Sequence, residues 1–380
     1  MEITALKTAQ GTVVVSVERE SSPAVHAGLL IHHGSVDDPL GHHGLAHVRE
    51  HVLTGMSARS DRLTAASTRR DTMIFAAERR TGLDAVASLS ELTARCADAP
   101  NALIEEQRRV VLAELAHSRP TSTEAGFRHL FGTDSPYVRP PAGTPTDVSN
   151  LGYEDLRFVP EPEQASPPPV IVVLHSGSDR RHLIERLIGE GASGWLPPSA
   201  PPLERRPAEA LHHEKPRPGR LAFDAYFTMP QALASPLPAT LSAGLLSAAF
   251  SPELSDFQRH LDDCGVAIDE LRFTAQSHWR ARSLGHIQLR LTVDHEPRRV
   301  SDSFREAARR LASSAHHRAN AWRAHGRTAN LRSVSTPSGA IDFVQKNWTG
   351  EGSVEELVMP RPPIPEAFSD LISAVHVHGI

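Results

Sequence analysis

The chain has 380 residues, with forty basic against forty-five acidic side chains and a formal net charge of −5. That length can hold two ordinary domains with buried cores, and the slight acidity offers no general attraction to nucleic acid or anionic lipid. Apolar residues at 39% and charged ones at 22% suit a globular rather than a disordered chain. No apolar run approaches the roughly 20 residues of a membrane-spanning helix. The opening Met1-Glu2-Ile3-Thr4 lacks the basic-then-apolar build of a secretion signal. Cys96 and Cys264 lie too far apart for a metal or redox spacing and read as buried small hydrophobes in a reducing compartment. A cytoplasmic protein is expected.

In chain order, Gly11 to Glu18 and Val25 to His33 are rich in Val, Ile and Leu and predict two strands. A turn from Gly34 to Pro39 leads into a helical pattern over His42 to Thr54, with Leu45, Val48, Val52 and Leu53 as its apolar members. A strand-like stretch at Thr72 to Ala77 precedes helices over Leu83 to Cys96 and Ala102 to Ala116. The segment Asp134 to Val148, rich in Pro and Gly, reads as a loop, and a strand at Val170 to Leu174 and a helix at Asp179 to Ile188 follow. The proline-dense stretch 194–219 has the composition of an interdomain linker. Beyond it the order repeats, with strands near Leu221 to Phe227, Ile268 to Phe273 and His286 to Val293, and helices at Pro238 to Ala248, Leu254 to Asp263 and Asp302 to Ala315. This predicts an α+β fold of two related domains, 1–193 and 220–380, each a mainly antiparallel sheet with helices on one face.

Chemistry concentrates in GLAHVREHVLTGM, Gly44 to Met56. His47 and His51 are four residues apart on a helix and project from one face on successive turns. Glu50 lies between them in angle, which gives the order H-x-x-E-H, the inverse of the commoner H-E-x-x-H. Two neutral imidazoles and one carboxylate leave a fourth position for water on a catalytic zinc ion, and a nearby carboxylate can take that water's proton. The third ligand expected is Glu114 in EEQRRVVLAEL, Glu105 to Leu115. There Val110, Val111 and Leu112 embed the helix, so that an inward Glu114 needs a cationic partner.

Together these residues resemble the pitrilysin or insulinase family of inverted-motif zinc peptidases, and most closely its short two-domain branch, which includes the mitochondrial processing peptidases. The resemblance spans nearly the whole chain. It rests on the Gly34-Ser35 turn with Asp38-Pro39, on GLAHVREH, on AASTRRDTMIF (Ala65 to Phe75) and on PYVRPPAGT (Pro136 to Thr144). It implies zinc held by His47, His51 and Glu114, with Glu50 as general base. It also implies a strand at Ala65, Ala66, Ser67 and Thr68 that pairs with the substrate backbone. Gln107 stands where relatives have a supporting glutamate, and an Asn-Ala pair of relatives reads Ala65-Ala66 here. Catalytically complete relatives carry an Arg and a Tyr seven residues apart in the second half. In FQRHLDDCGVAI, Phe257 to Ile268, those places hold Leu261 and Ile268, which cannot donate a hydrogen bond, while Arg259 sits two residues off register.

The expected protein is therefore the zinc-bearing subunit of a heterodimeric metalloendopeptidase acting on short or unfolded peptides, including leader or precursor peptides, with a related partner subunit supplying the Arg/Tyr pair. The alternative is a non-catalytic structural or peptide-binding subunit of the same fold. Arg69-Arg70 and Arg79-Arg80 flank the expected substrate strand, either to favour acidic peptides or as a solvated basic edge. His42 and His43 read as flanking surface residues rather than further ligands.

Overall fold

The computed structural model describes residues 3–18, 25–57, 63–95, 98–117, 127–128, 131–157, 169–194, 210–212, 222–228, 256–276, 284–292, 295–296 and 298–311. These fall into two compact units, one of described residues from 3–117 and 139–194, the other from 127–138 and 210–311.

The first unit is built on seven strands: β1 (Ile3–Lys7), β2 (Val13–Glu18), β3 (Val25–Ile31), β4 (Leu63–Thr68), β5 (Met73–Arg79), β6 (Val170–His175) and β7 (Ser193–Gly194). They lie in the order β4-β5-β3-β6-β2-β1-β7. Only the β2–β6 pairing is parallel among these neighbours. The central strands VVVSVE, VHAGLLI and VIVVLH are almost wholly buried. Burial on both faces explains why they read as continuous apolar runs rather than as alternations.

Three helices pack on the face that carries Val14, Ala27, Leu29, Phe75, Ile171 and Val173: α1 (Leu45–Ser57), α2 (Gly82–Arg95) and, further on, α6 (Gly177–Gly189). Helix α2 buries Ala85, Val86, Leu89 and Leu92, the stripe expected of a half-buried helix. Helix α3 (Asn101–His117) lies against α1 and buries Leu103, Ile104 and Val111. Two short helices, α4 (Pro145–Asn150) and α5 (Tyr153–Arg157), follow it.

The strands expected at Ala65 to Thr68 and at Thr72 to Ala77 are the two arms of the β4–β5 hairpin, which turns at residues 69–72 with Arg69 N–H donating to the Thr72 carbonyl. Two sequence expectations change here. The end of the loop expected up to Val148 is already helix α4: Thr144 caps it by accepting from Asp147 N–H, and Pro145 occupies the first turn, where its missing N–H costs nothing. Cys264 is a free, half-exposed thiol rather than a buried one.

The second unit has a four-stranded antiparallel sheet in the order β10 (Ile268–Gln276), β11 (Leu284–Leu291), β9 (Ala222–Thr228), β8 (Ala210–His212). Strand β8 comes from within the proline-dense stretch. Helix α7 (Phe257–Asp263) and α8 (residues 298–311) share a core of Phe257, Leu261, Ile287, Leu289, Phe304 and Leu311. In it the Phe257 and Phe304 rings meet edge to face, with centroids 5.4 Å apart. Cys96 and the helix expected at Pro238 to Ala248 lie outside the described residues. Both units are α+β, as expected. Among the described residues no helix is long and apolar enough to cross a membrane.

Phe75 is fully buried between sheet and helices. Truncation to Phe75→Ala should destabilise the first unit by about 3–5 kcal/mol, seen as an earlier urea transition by circular dichroism. An unchanged midpoint would mean this face is not the core.

Candidate metal centre

The start of α1 is set by a buried carboxylate. Asp38, 4% exposed, accepts from Gly44 N–H at 2.8 Å and from Ala46 N–H at 2.9 Å. It thus satisfies two amides that the first turn of a helix leaves without partners. The Arg139 guanidinium donates to the Asp38 carbonyl at 3.1 Å. Inside the helix, Leu45, Val48, Val52 and Leu53 are buried in the sheet-facing core. A second tie is Arg49, 4% exposed, which donates to the Asp155 carbonyl of α5.

With one stripe of α1 fixed, His47 and His51 emerge together from another. Their rings lie 4.8 Å apart, nearly perpendicular. Helix α3 brings Glu114 to both: its Oε2 is 3.6 Å from His47 Nε2 and 3.5 Å from His51 Nε2. These separations exceed an ordinary hydrogen bond. They match two donor atoms each about 2.1 Å from one tetrahedral ion, which stand roughly 3.4 Å apart. Glu50 completes the group. Among the described residues His47, Glu50 and His51 form a cluster able to hold a metal, with one donor atom from each within 4.8 Å of the others. Side chains and spacing therefore fit a divalent cation.

Glu50 is 6% exposed, and its Oε2 accepts a hydrogen bond from the Thr68 hydroxyl of β4 at 3.1 Å. Burial pushes its carboxyl above the usual range, opposed by His51 and by the Thr68 hydrogen bonds. Burial lowers the His47 pKa, helped by the neighbouring His51 and opposed by Glu114 and the Ala142 carbonyl. A neutral imidazole is the form that ligates a cation.

The environment of Glu114 differs from the sequence argument. Val110 is 41% exposed and the Glu114 side chain 52% exposed; only Val111 of that apolar run is buried. Glu114 turns toward the imidazole pair from a half-solvated position, so desolvation does not force the arrangement. Gln107 lies along α1 at Gly55, one turn beyond His51: a Cβ on that glycine would stand 3.2 Å from the Gln107 Nε2. Strand β4, with Ala65, Ala66, Ser67 and Thr68, is the terminal strand of its sheet among the described residues and runs beside α1. Of the two arginine pairs, Arg70 is buried, Arg69 and Arg79 are half-buried, and Arg80 is exposed. A uniformly solvated basic edge is thus absent. His42 and His43 stay outside the cluster, His42 lying 3.7 Å from the Asp155 carboxylate. In the second unit Leu261 and Ile268 are core residues at 0% and 6% exposure, while Arg259 points outward and pairs with Asp256 at 2.9 Å.

Solved structures share this architecture. A putative M16-like peptidase from Alicyclobacillus acidocaldarius matches with a TM-score of 0.66 at 16% identity, over 98% of this chain and 95% of that one. A peptidase M16 inactive domain from Pseudomonas fluorescens gives 0.64 at 14% identity, over 98% and 94%. A chain of Complex III2 from Candida albicans gives 0.65 at 14% identity, over 98% and 91%. The fold is that of M16-like peptidases. At these identities the likeness is one of fold, which active and inactive proteins share. No protein-family profile and no curated protein sequence matches the chain.

Sequence reasoning had placed Asp38 only in a turn and Thr68 only on a strand. Their roles as helix cap and as hydrogen-bond donor to Glu50 span 8 and 18 residues, and no local pattern announces them. Burial pushes the Asp38 carboxyl up to about 7, against the pull of the two amides and of Arg49. A raised folded value means that this group's stabilisation is full below its unfolded value near 4 and is lost as pH rises through about 7. The melting-temperature advantage of wild type over Asp38→Asn should therefore narrow between pH 5 and pH 8.5. A widening gap would show that the ionised carboxylate is the better cap.

Proposed function

We propose that the chain is the metal-bearing subunit of a zinc-dependent peptidase. His47, His51 and Glu114 hold the ion and Glu50 serves as general base. The supporting observation is the convergence of Glu114 Oε2 on both Nε2 atoms at 3.5 and 3.6 Å, with a buried carboxyl beside them. Zinc, when bound, acidifies a water and polarises a carbonyl. The chain's own residues do the rest. Glu50, whose carboxyl burial raises above the usual range, is suited to take a proton from water and return it to the leaving amine. The Thr68 hydroxyl holds one of its oxygens in place. The side of β4 that no other described strand pairs offers backbone N–H and C=O groups to an extended peptide, so short or unfolded substrates suit the site better than folded ones. Such a site acts on peptides in general, and maturation of a leader or precursor peptide is one task it could perform.

The second unit offers no donor at the places where complete relatives carry Arg and Tyr, since Leu261 and Ile268 are buried and apolar. A related partner subunit would supply that pair. A second reading, a non-catalytic structural or peptide-binding subunit, draws on the same two residues and on the inactive domain that shares the fold.

Metal analysis separates these readings. The purified chain should carry one zinc, lost in His47→Ala and Glu114→Ala. Retention of full stoichiometry by Glu114→Ala would remove that residue from the ligand set. Glu50→Gln should keep the metal and abolish hydrolysis; zinc-loaded wild type inactive under every pairing would favour the non-catalytic reading. Loss of one oxyanion donor typically costs about 100- to 1,000-fold in rate. The chain alone should therefore cleave at least about 100-fold more slowly than its mixture with a partner bearing Arg and Tyr seven residues apart. Equal rates would refute the two-chain mechanism.

A further inference from the structure

His47 has two ring nitrogens, and only one of them meets Glu114. The other, Nδ1, is fully buried and makes no hydrogen bond within the geometric limits among the described residues. The main-chain carbonyl of Ala142, from the loop that precedes α4, lies beside Gly44, one turn before His47, and acts on the His47 ring as an acceptor. A buried ring N–H so placed calls for an acceptor. In a metal site the partner of the non-ligating nitrogen decides which tautomer the imidazole adopts.

That loop reaches α1 through a contact between two glycines. Gly44, with φ +98°, and Gly143, with φ +79°, occupy the left-handed region that side chains disfavour. Space excludes a side chain as well. A Cβ on Gly143 would stand 2.4 Å from the His43 carbonyl oxygen and 2.5 Å from the Gly44 Cα. A Cβ on Gly44 would stand 2.9 Å from the Ala142 carbonyl oxygen and 2.8 Å from a Val148 methyl. The two backbones thus pass closer than any pair of L side chains permits. The Gly143 N–H donates to the Pro140 carbonyl at 3.0 Å, which closes the turn that presents Ala142. Gly41, three residues before Gly44, gives a contrast. Its φ of +83° is as strained for a side chain, yet nothing lies within 4 Å of its added Cβ.

We propose that the Gly44–Gly143 contact positions the Ala142 carbonyl as the acceptor for His47 Nδ1–H, so that Nε2 is the nitrogen presented to the metal. Gly44, Ala142 and Gly143 are then positioning residues for a ligand. The proposal rests on the zinc reading above. It also gives a reason why a loop distant in sequence from H-x-x-E-H belongs to the site.

The experiment compares full-length wild type, Gly143→Ala, Gly41→Ala and His47→Ala, each titrated with zinc against a chromophoric chelator. Gly143→Ala should bind zinc about 10- to 100-fold more weakly, the usual cost of losing a partner of a ligating histidine. Gly41→Ala, which carries similar backbone strain without the collision, should stay within about twofold of wild type. A second measurement does not depend on the variants folding. With 15N-labelled histidine, zinc-loaded wild type should show a slowly exchanging Nδ1–H for His47, assigned by its loss in His47→Ala. Gly143→Ala with wild-type affinity, or a zinc-loaded wild type whose His47 has no protected Nδ1–H, overturns the proposal. If His47→Ala still loses zinc in that case, the metal reading stands without it. If wild type takes up no zinc, or His47→Ala binds it as tightly, the metal reading itself fails.

Discussion

Helix α1 can present two imidazoles in a fixed relation because the rest of its surface is committed. Leu45, Val48, Val52 and Leu53 are locked into the sheet-facing core, and Asp38 holds its first turn by two amides. Arg49 ties its middle to α5. A helix with its apolar stripe buried cannot rotate without exposing that stripe, at roughly 25 cal/mol for each Å² returned to water. The directions of His47 and His51 are therefore set by packing on the opposite side of the helix. Every later feature of the centre, from the approach of Glu114 to the burial of Glu50, depends on that anchoring.

Two carboxyl groups meet at this centre in different surroundings. Glu50 is buried beside Thr68, and desolvation lifts its pKa. Glu114 is half-solvated and directed at both imidazoles. Burial raises the pKa of a carboxyl because the charged form loses its hydration. The same centre thus holds one buried and one half-solvated carboxyl group.

The second unit repeats the α+β plan. Leu261 and Ile268 fill its core, and the nearby Arg259 is turned outward to Asp256. Replacing Leu261 by arginine would leave a buried guanidinium unless a partner were supplied with it. The core has been settled on apolar contacts, which is compatible with a fold that serves both peptidases and an inactive domain.

By itself the sequence determined a good deal. The H-x-x-E-H spacing places two imidazoles on one helix face because 3.6 residues per turn aligns positions four apart, and alternating strand and helix patterns required α+β units. These are short-range consequences of backbone periodicity, so a linear reading suffices for them. The β4–β5 turn, Arg69 to Thr72, has no Gly or Pro to announce it, so the antiparallel pairing of the two expected strands is visible only in the structure. The exposure of Glu114 could not be read from Val110, Val111 and Leu112, since only the packed helix shows that Val110 faces out. Asp38 under α1, Thr68 against Glu50 and Ala142 opposite His47 were decided by the tertiary structure alone. Each joins segments whose separation along the chain carries no periodic signal.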